Sequence, residues 1–367
     1  MPHATLSEAD VRAIDRSDMA GKIAAWPRQI TDQRRALALE PWPRLPAPRL
    51  LAVGGMGGSA IAADLVFALA APRLPFPTLV CRDDRWPAAV GPGSIALLSS
   101  YSGNTTETLA LYSEAGGRGA TRLILATGGE LGRRGDADGV ARRVLPGGLP
   151  PRAALGYSVA SLALLLEALG DPGEGDEAWD EAVEVLAGIT RACAPERPEV
   201  GNPAKELARA LVGRAVSVVG TAGPAAACAR RWKGQLHENA KTLAFDAVLP
   251  EMNHNEIVGY QALADLHPRL ALVFLEGLAG SPAAARQMDV TRRIVEDEGI
   301  ATHVVAATGR SPLARLLSLV ALGDWTSLYV AVLGGVDPTP IEKIDRLKAA
   351  LASAGGRGPK DAETTPR

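Results

Sequence analysis

Arg49-Leu50-Leu51-Ala52-Val53 runs into Gly54-Gly55-Met56-Gly57-Gly58-Ser59 and then into the apolar stretch Ala60 to Ala71. A short continuous apolar run suits a strand buried on both faces, the glycines suit a tight turn, and the stretch after them reads as a helix. The same order returns later. Ala215-Val216-Ser217-Val218-Val219 reads as a strand, Gly220-Thr221-Ala222-Gly223-Pro224 as a Gly-rich turn, and Ala225 to Lys241 as a long helix. Between the copies, Thr78–Cys81, Ser94–Ser99 and Leu123–Thr127 supply strands, and Leu270–Leu275 and His303–Ala307 follow the second. Strand alternating with helix predicts an α/β fold with two doubly wound parallel-sheet domains flanked by helices, the product of an internal duplication.

The boundaries follow. Residues 1–44 form an N-terminal helical segment with a cap at Ser7, and 45–150 the first sheet domain. Residues 151–203 are a helical connector, 204–338 the second sheet domain, 339–354 a C-terminal helix, and 355–367 a disordered Gly/Pro/Thr-rich tail. The chain from Leu243 through Asp246 to Pro250 reads as a loop.

Composition narrows the partners. With 41 acidic against 39 basic side chains, the chain has no general field for nucleic acid or an anionic membrane. Cys81, Cys193 and Cys228 lack metal-ligand spacing and suit reduced, buried roles. The start Met1-Pro2-His3-Ala4 has no basic-then-apolar signal, and no apolar run is read as reaching membrane-spanning length. A cytoplasmic protein is expected.

Two loops carry the chemistry. Gly55 to Ala60 fits a dinucleotide fingerprint by letter, with Asp83 at a plausible distance for a ribose, so a nicotinamide-dependent dehydrogenase is one reading. No Lys follows the glycines, which excludes a nucleotide triphosphate loop. The second loop shifts the balance: Ser100, Ser102, Thr105 and Thr106 crowd hydroxyls onto one turn at a strand's C-terminal edge, directly before a helix. Helix N-terminal N–H groups and hydroxyls together suit a phosphomonoester. With no Lys or metal-binding acid in either loop, that phosphate is a handle, not a leaving group. The plainer alternative is that these hydroxyls only cap the helix.

Gly54 to Ile61, Ser100-Tyr101-Ser102-Gly103-Asn104-Thr105 and Pro151-Arg152-Ala153-Ala154-Leu155-Gly156-Tyr157 resemble the bifunctional phosphoglucose/phosphomannose isomerase family. So do Arg231-Trp232-Lys233-Gly234-Gln235 with Glu238-Asn239, Asn253-His254-Asn255-Glu256-Ile257, and Ile344 through Leu347-Lys348. The likeness runs in order over most of the chain. It departs at Ala62-Ala63, where relatives often carry glycine, at Tyr260, where Trp is usual, and in the tail.

The resemblance implies two sugar-isomerase (SIS) domains and a role for each matching residue. Gly58, Ser59, Ser100, Ser102 and Thr105 would grip a sugar phosphate. Glu238 would carry a proton between C2 and C1, since a carboxylate is a base first and an acid afterwards. His254 would open the sugar ring, because imidazole titrates near neutrality. Arg152 would stabilise the enediolate, and Lys348, or Lys343 in its place, would assist ring opening. His237 reads as structural. No cofactor and no metal is expected: no His/Glu cluster has ligand spacing. The resemblance also implies a homodimer with shared active sites, His254 reaching the partner's site. A sugar-phosphate-binding protein without catalysis and an amino-sugar phosphate isomerase are the alternatives.

Overall fold

In the computed structural model, which describes residues 5–261 and 264–355, the repeat becomes two parallel sheets. The first contains β1 (Leu50–Gly54), β2 (Thr78–Cys81), β3 (Ser94–Ser99), β4 (Thr121–Ala126) and β5 (Arg142–Val144), in the order β2-β1-β3-β4-β5. The second contains β6 (Ala215–Thr221), β7 (Ala244–Leu249), β8 (Leu270–Glu276) and β9 (Ala301–Ala306), in the order β7-β6-β8-β9. Every pairing is parallel. In each sheet the first strand has its successor on one side and the third strand on the other. A crevice therefore opens at the carboxyl ends of β1 and β3, and of β6 and β8, where such sheets bind ligands.

Helices α1 (Glu8–Ile14), α2 (Met19–Ala24) and α3 (Trp26–Leu39) precede the first sheet, which α4 (Gly57–Ala70), α5 (Thr106–Gly117) and α6 (Gly129–Ala137) flank. The connector carries α7 (Leu155–Ala168) and α8 (Asp176–Cys193), and α9 (Pro203–Leu211) leads into the second sheet. There α10 (Pro224–Glu238), the short α11 (Glu256–Gly259), α12 (Pro282–Asp297) and α13 (Pro312–Leu333) follow, before α14 (Glu342–Gly355).

Side chains alternate across each sheet, and the two faces enter different cores. Leu51, Val53, Ile95 and Leu97 of the first sheet, with Val216, Val218, Ala271 and Val273 of the second, face one shared core built on α4, α7, α10 and α13. Their neighbours face outward: Ala52, Ala96 and Leu98 toward α5, and Val219, Leu272 and Phe274 toward α12. The two halves are thus joined through packed helices.

Four readings need correction. The segment read as a loop after Leu243 contains β7, an edge strand whose Phe245 is exposed and whose Asp246 is paired with Lys233. β5, with Arg142 and Arg143 on a three-residue edge, falls where no strand is expected. The helical N-terminal segment ends at Leu39, short of Arg44. Finally, α13 has 22 residues and is apolar enough by length and composition to cross a membrane, yet it is almost wholly buried in protein. A core helix fully wrapped by other elements has no polar face to show. Gly355 still belongs to α14, and residues 356–367 of the tail lie outside the described residues, as does the start Met1–Ala4.

Inside that apolar helix sits Asp324, 1% exposed, in a bidentate pair with the equally buried Arg231 of α10 (Nε–Oδ1 3.1 Å, Nη2–Oδ2 2.7 Å). Burial pushes the Asp324 carboxyl above its ordinary value, opposed by the Arg231 cation. Arg231→Met strands that carboxylate in the core and is expected to cost about 3–5 kcal/mol in urea unfolding. Arg231→Met with Asp324→Leu should recover most of the loss.

Candidate active site

The crevice of the first sheet is lined by the two loops singled out in the sequence. Ser59 lies in the first turn of α4, and its Oγ accepts the Tyr101 N–H at 3.0 Å, which joins the loop after β1 to the loop after β3. Ser100, 1% exposed, donates to Thr105 Oγ1 at 3.0 Å, and the exposed Ser102 accepts the Asn104 N–H at 3.2 Å. Thr105 is the N-cap residue of α5 but makes no side-chain capping bond. The hydroxyls are therefore not consumed in capping. They face the positive end of a helix in an opening between parallel strands.

Gly58 connects this crevice to the connector. A Cβ at Gly58 would lie 2.9 Å from both the Pro151 carbonyl carbon and the Arg152 nitrogen, so the backbone of the Pro151–Ala153 3-10 turn rests directly on α4. Two more contacts fix that turn. Tyr101 Oη donates to Pro146 O at 2.8 Å and accepts the Leu149 N–H at 3.0 Å. Gln29 of α3 donates to Ala153 O at 2.7 Å and accepts the Gly156 N–H at 3.1 Å, which gives the N-terminal helices a part in the site.

Arg152 itself is 2% exposed. Its Nε donates to Asn239 Oδ1 at 2.7 Å, Nη1 to Glu238 Oε2 at 3.2 Å, and Nη2 to the carbonyls of Pro338 and Thr339, both at 2.8 Å. These four bonds leave a single guanidinium N–H unspent. Burial lowers the Arg152 pKa from its ordinary value while Glu238 opposes the shift. An arginine so placed remains a cation. Asn239, wholly buried, donates onward to Ser327 Oγ at 3.0 Å, and Ser327 donates to Asp324 O at 2.7 Å. Arg231 Nη2 closes the ring by donating to Arg152 O at 2.7 Å.

Of the residues read from the sequence, Gly58, Ser59, Ser100, Ser102, Thr105, Arg152 and Glu238 belong to this connected set. His254 and Lys348 do not. His254 ends a 3-10 turn beyond β7, is exposed, and makes no hydrogen bond to Glu238 or Arg152. Glu238 precedes β7 and His254 follows it, so the strand's six residues put the two groups on the order of 20 Å apart. Lys348 and Lys343 both lie exposed on α14, and neither is bonded to Glu238 or Arg152. Tyr101 and Asn239 lie inside motifs quoted from the sequence but receive no role there, and Gln29 and Asp324 are not singled out. Of those two, only Asp324, a lone acid in an apolar run, carries a visible signal. His237, read as structural, accepts the Ala244 N–H at 3.1 Å.

Two linked SIS-type sheets with a hydroxyl-lined crevice and a carboxylate–guanidinium pair beside it define a protein of the phosphosugar isomerase class. The model of the bacterial phospho-glucose isomerase C-terminal SIS domain matches residues 200–351. The chain is 39% identical over 300 residues to the bifunctional phosphoglucose/phosphomannose isomerase of Caldicellulosiruptor bescii, covering 82% of this chain and 88% of that one. It is 33% identical over 298 residues to the protein of the same name from Aquifex aeolicus, covering 81% and 88%. The chain belongs to the bifunctional phosphoglucose/phosphomannose isomerase family. Among solved structures, a glucose-6-phosphate isomerase like protein from Thermus thermophilus superposes with a TM-score of 0.59 at 23% identity, over 95% of this chain and 99% of that one. A phosphosugar isomerase structure from Silicibacter pomeroyi, so titled as putative, gives 0.63 at 18%, over 87% and 99%. Both show the shared fold.

Gly58→Ala should cost about 1–3 kcal/mol in thermal or urea unfolding, because backbone on both sides of the new methyl must move. Gly234→Ala is the contrast: a Cβ there meets nothing within 4 Å on the same class of helix, and it should stabilise by about 0.5–1 kcal/mol.

Proposed function

We propose that this chain interconverts glucose 6-phosphate and mannose 6-phosphate with fructose 6-phosphate through a cis-enediol, by proton transfer without a metal. The observation that carries the reading is the Arg152–Glu238 pair, carried on a turn whose backbone rests through Gly58 on the hydroxyl-lined crevice. The phosphate sits on Ser59, Ser100, Ser102 and Thr105 at the α4 and α5 N-termini, where N–H groups and hydroxyls hold it without strain on its ester bond. Anchoring that end brings C1 and C2 toward Glu238.

Glu238 then takes the proton from C2 of the aldose, and electrons shift into the C1 carbonyl to form an enediolate. The carboxylic acid so formed returns that proton to C1 while the O2 hydroxyl proton passes to O1, leaving the ketose with Glu238 restored. The unspent N–H of Arg152 meets the developing oxyanion. A pre-placed cation and donor of that kind is worth about 3–4 kcal/mol in a water-poor site. Both C2 epimers are accepted because the enediol has lost that stereocentre, and rotation presents either face to the same carboxylate.

Ring opening needs a group that the chain does not bring to Glu238 by itself. We assign it to His254 of a second copy in a two-fold dimer, where exposure beyond β7 leaves the imidazole available to a neighbour's crevice. Lys348 on the exposed α14, with Lys343 as substitute, assists at the ring oxygen. Among the described residues no group of three or more His, Cys, Asp or Glu is placed to hold a metal. Three free, buried cysteines suit a reducing cytoplasm.

In a coupled assay with EDTA the purified protein should convert fructose 6-phosphate to both aldoses at an undiminished rate. Glu238→Gln should lower kcat by about 10²–10⁴-fold while sugar-phosphate binding stays within about threefold. Sustained turnover in that variant would remove Glu238 from the mechanism. A parent protein that binds but never turns over would be a sugar-phosphate sensor instead.

A further inference from the structure

Beyond α10 the chain does something that costs conformational energy. Lys241 holds φ at +52°, and among the described residues only Asp18 shares a positive φ without being glycine. Glycine is the residue that takes this conformation freely at a helix end, so the lysine side chain has to offset the strain. Its Nζ donates to Glu238 O at 3.0 Å, Asn239 O at 3.3 Å and Asp337 O at 2.7 Å, which uses all three ammonium protons.

Two features of that contact set bear on the site. Glu238 O and Asn239 O are carbonyls left over at the α10 C-terminus, the negative end of the helix that presents the Glu238 carboxylate. A cation there offsets the negative pole next to a carboxylate that has to be charged to act as a base. Asp337 O, in turn, is the first of three successive carbonyls held by cations. Lys241 takes the one at 337, and Arg152 takes those at 338 and 339. Asp337 Oδ1 accepts the Thr339 N–H at 2.9 Å and keeps the segment turned. The charged groups around the Lys241 ammonium are Glu238 on its own helix end, Arg152 on the 3-10 turn, Asp337 on the segment leading into α14, and Glu342 at the start of α14.

We propose that Lys241 is a positioning residue for the isomerisation. With Arg152 it clasps the 337–339 backbone to the end of α10, so that the Glu238 carboxylate and the root of α14 are set against each other. The inference rests on Glu238 being the proton carrier. Lys241 acts through that residue and touches no substrate, and the phosphate grip lies on other loops. Its loss should therefore appear in kcat and not in KM.

Lys241→Gly separates the roles, because glycine relieves the backbone while removing the cation. The variant should fold with a Tm at or above the parent's, lose about tenfold or more in kcat, and keep KM for fructose 6-phosphate within about threefold. Lys241→Arg, which keeps the charge and the donors, should restore kcat to within about threefold of the parent's. Parent turnover measured alongside separates two failures. An inactive parent sinks the isomerase reading and this role together. An active parent whose Lys241→Gly variant matches its kcat, or loses activity only with a fall in Tm, overturns the role of Lys241 alone.

Discussion

The structure depends on keeping the Arg152 guanidinium charged where water does not reach it. A buried cation is tolerated only if most of its donors find acceptors and an opposite charge lies close. Here the acceptors come from two separate parts of the chain: Asn239 and Glu238 at the end of α10, and the Pro338 and Thr339 carbonyls before α14. The turn that carries Arg152 is in turn pinned by Gln29 from α3 and by α4 through Gly58. Satisfying one charge thus fixes the meeting point of the N-terminal helices, both sheets and the C-terminal segment. The Arg231–Asp324 pair beneath it serves the same end by holding the Arg152 carbonyl.

The duplication is used unequally. Each half places a glycine turn and a helix start at a switch point, but the hydroxyls cluster only in the first: in the second, Thr221 ends β6 and Ser281 is taken up in capping α12 through the Ala284 N–H. The turn after β6 runs through Gly223 into Pro224, which lacks an N–H to offer. The second half contributes the other end of its helix instead, with Glu238 as the last residue of α10. In the proposed reaction, one copy of the fold would supply an anion cradle and the other an acid–base group. Neither half alone would hold both.

Much of this was legible in the sequence. Buried parallel strands are continuous apolar runs, so β1, β3, β4, β6 and β8 stood out, and so did the turns that follow them. Of the edge strands, β2 and β9 were apolar enough to read, but β5 and β7 were not, because a strand with one free side tolerates charge: β5 carries two arginines and β7 carries Asp246. Gly58 was visible as a glycine, but its reason, the backbone of residues 151 and 152 lying against it, comes from a contact far along the chain. Gln29 and Asn239 look like ordinary polar residues until their partners are in place. Nor does the separation of Glu238 and His254 in sequence reveal that a whole strand stands between them. The α13 run was hard for the opposite reason, since a helix buried on all sides has the composition of a membrane span.

The proposed isomerisation requires the hydroxyl-lined crevice, Arg152 and Glu238 to form one continuous site. A crystal structure with a five-carbon aldonic acid 5-phosphate, whose carboxylate imitates the enediolate, tests this most directly. The phosphate should lie within hydrogen-bonding reach of Ser59, Ser100 and Thr105, with the inhibitor carboxylate at Arg152 and the Glu238 carboxyl about 3 Å from the carbons it serves. A phosphate bound away from those hydroxyls, or a Glu238 turned away from an otherwise well-seated ligand, would contradict it.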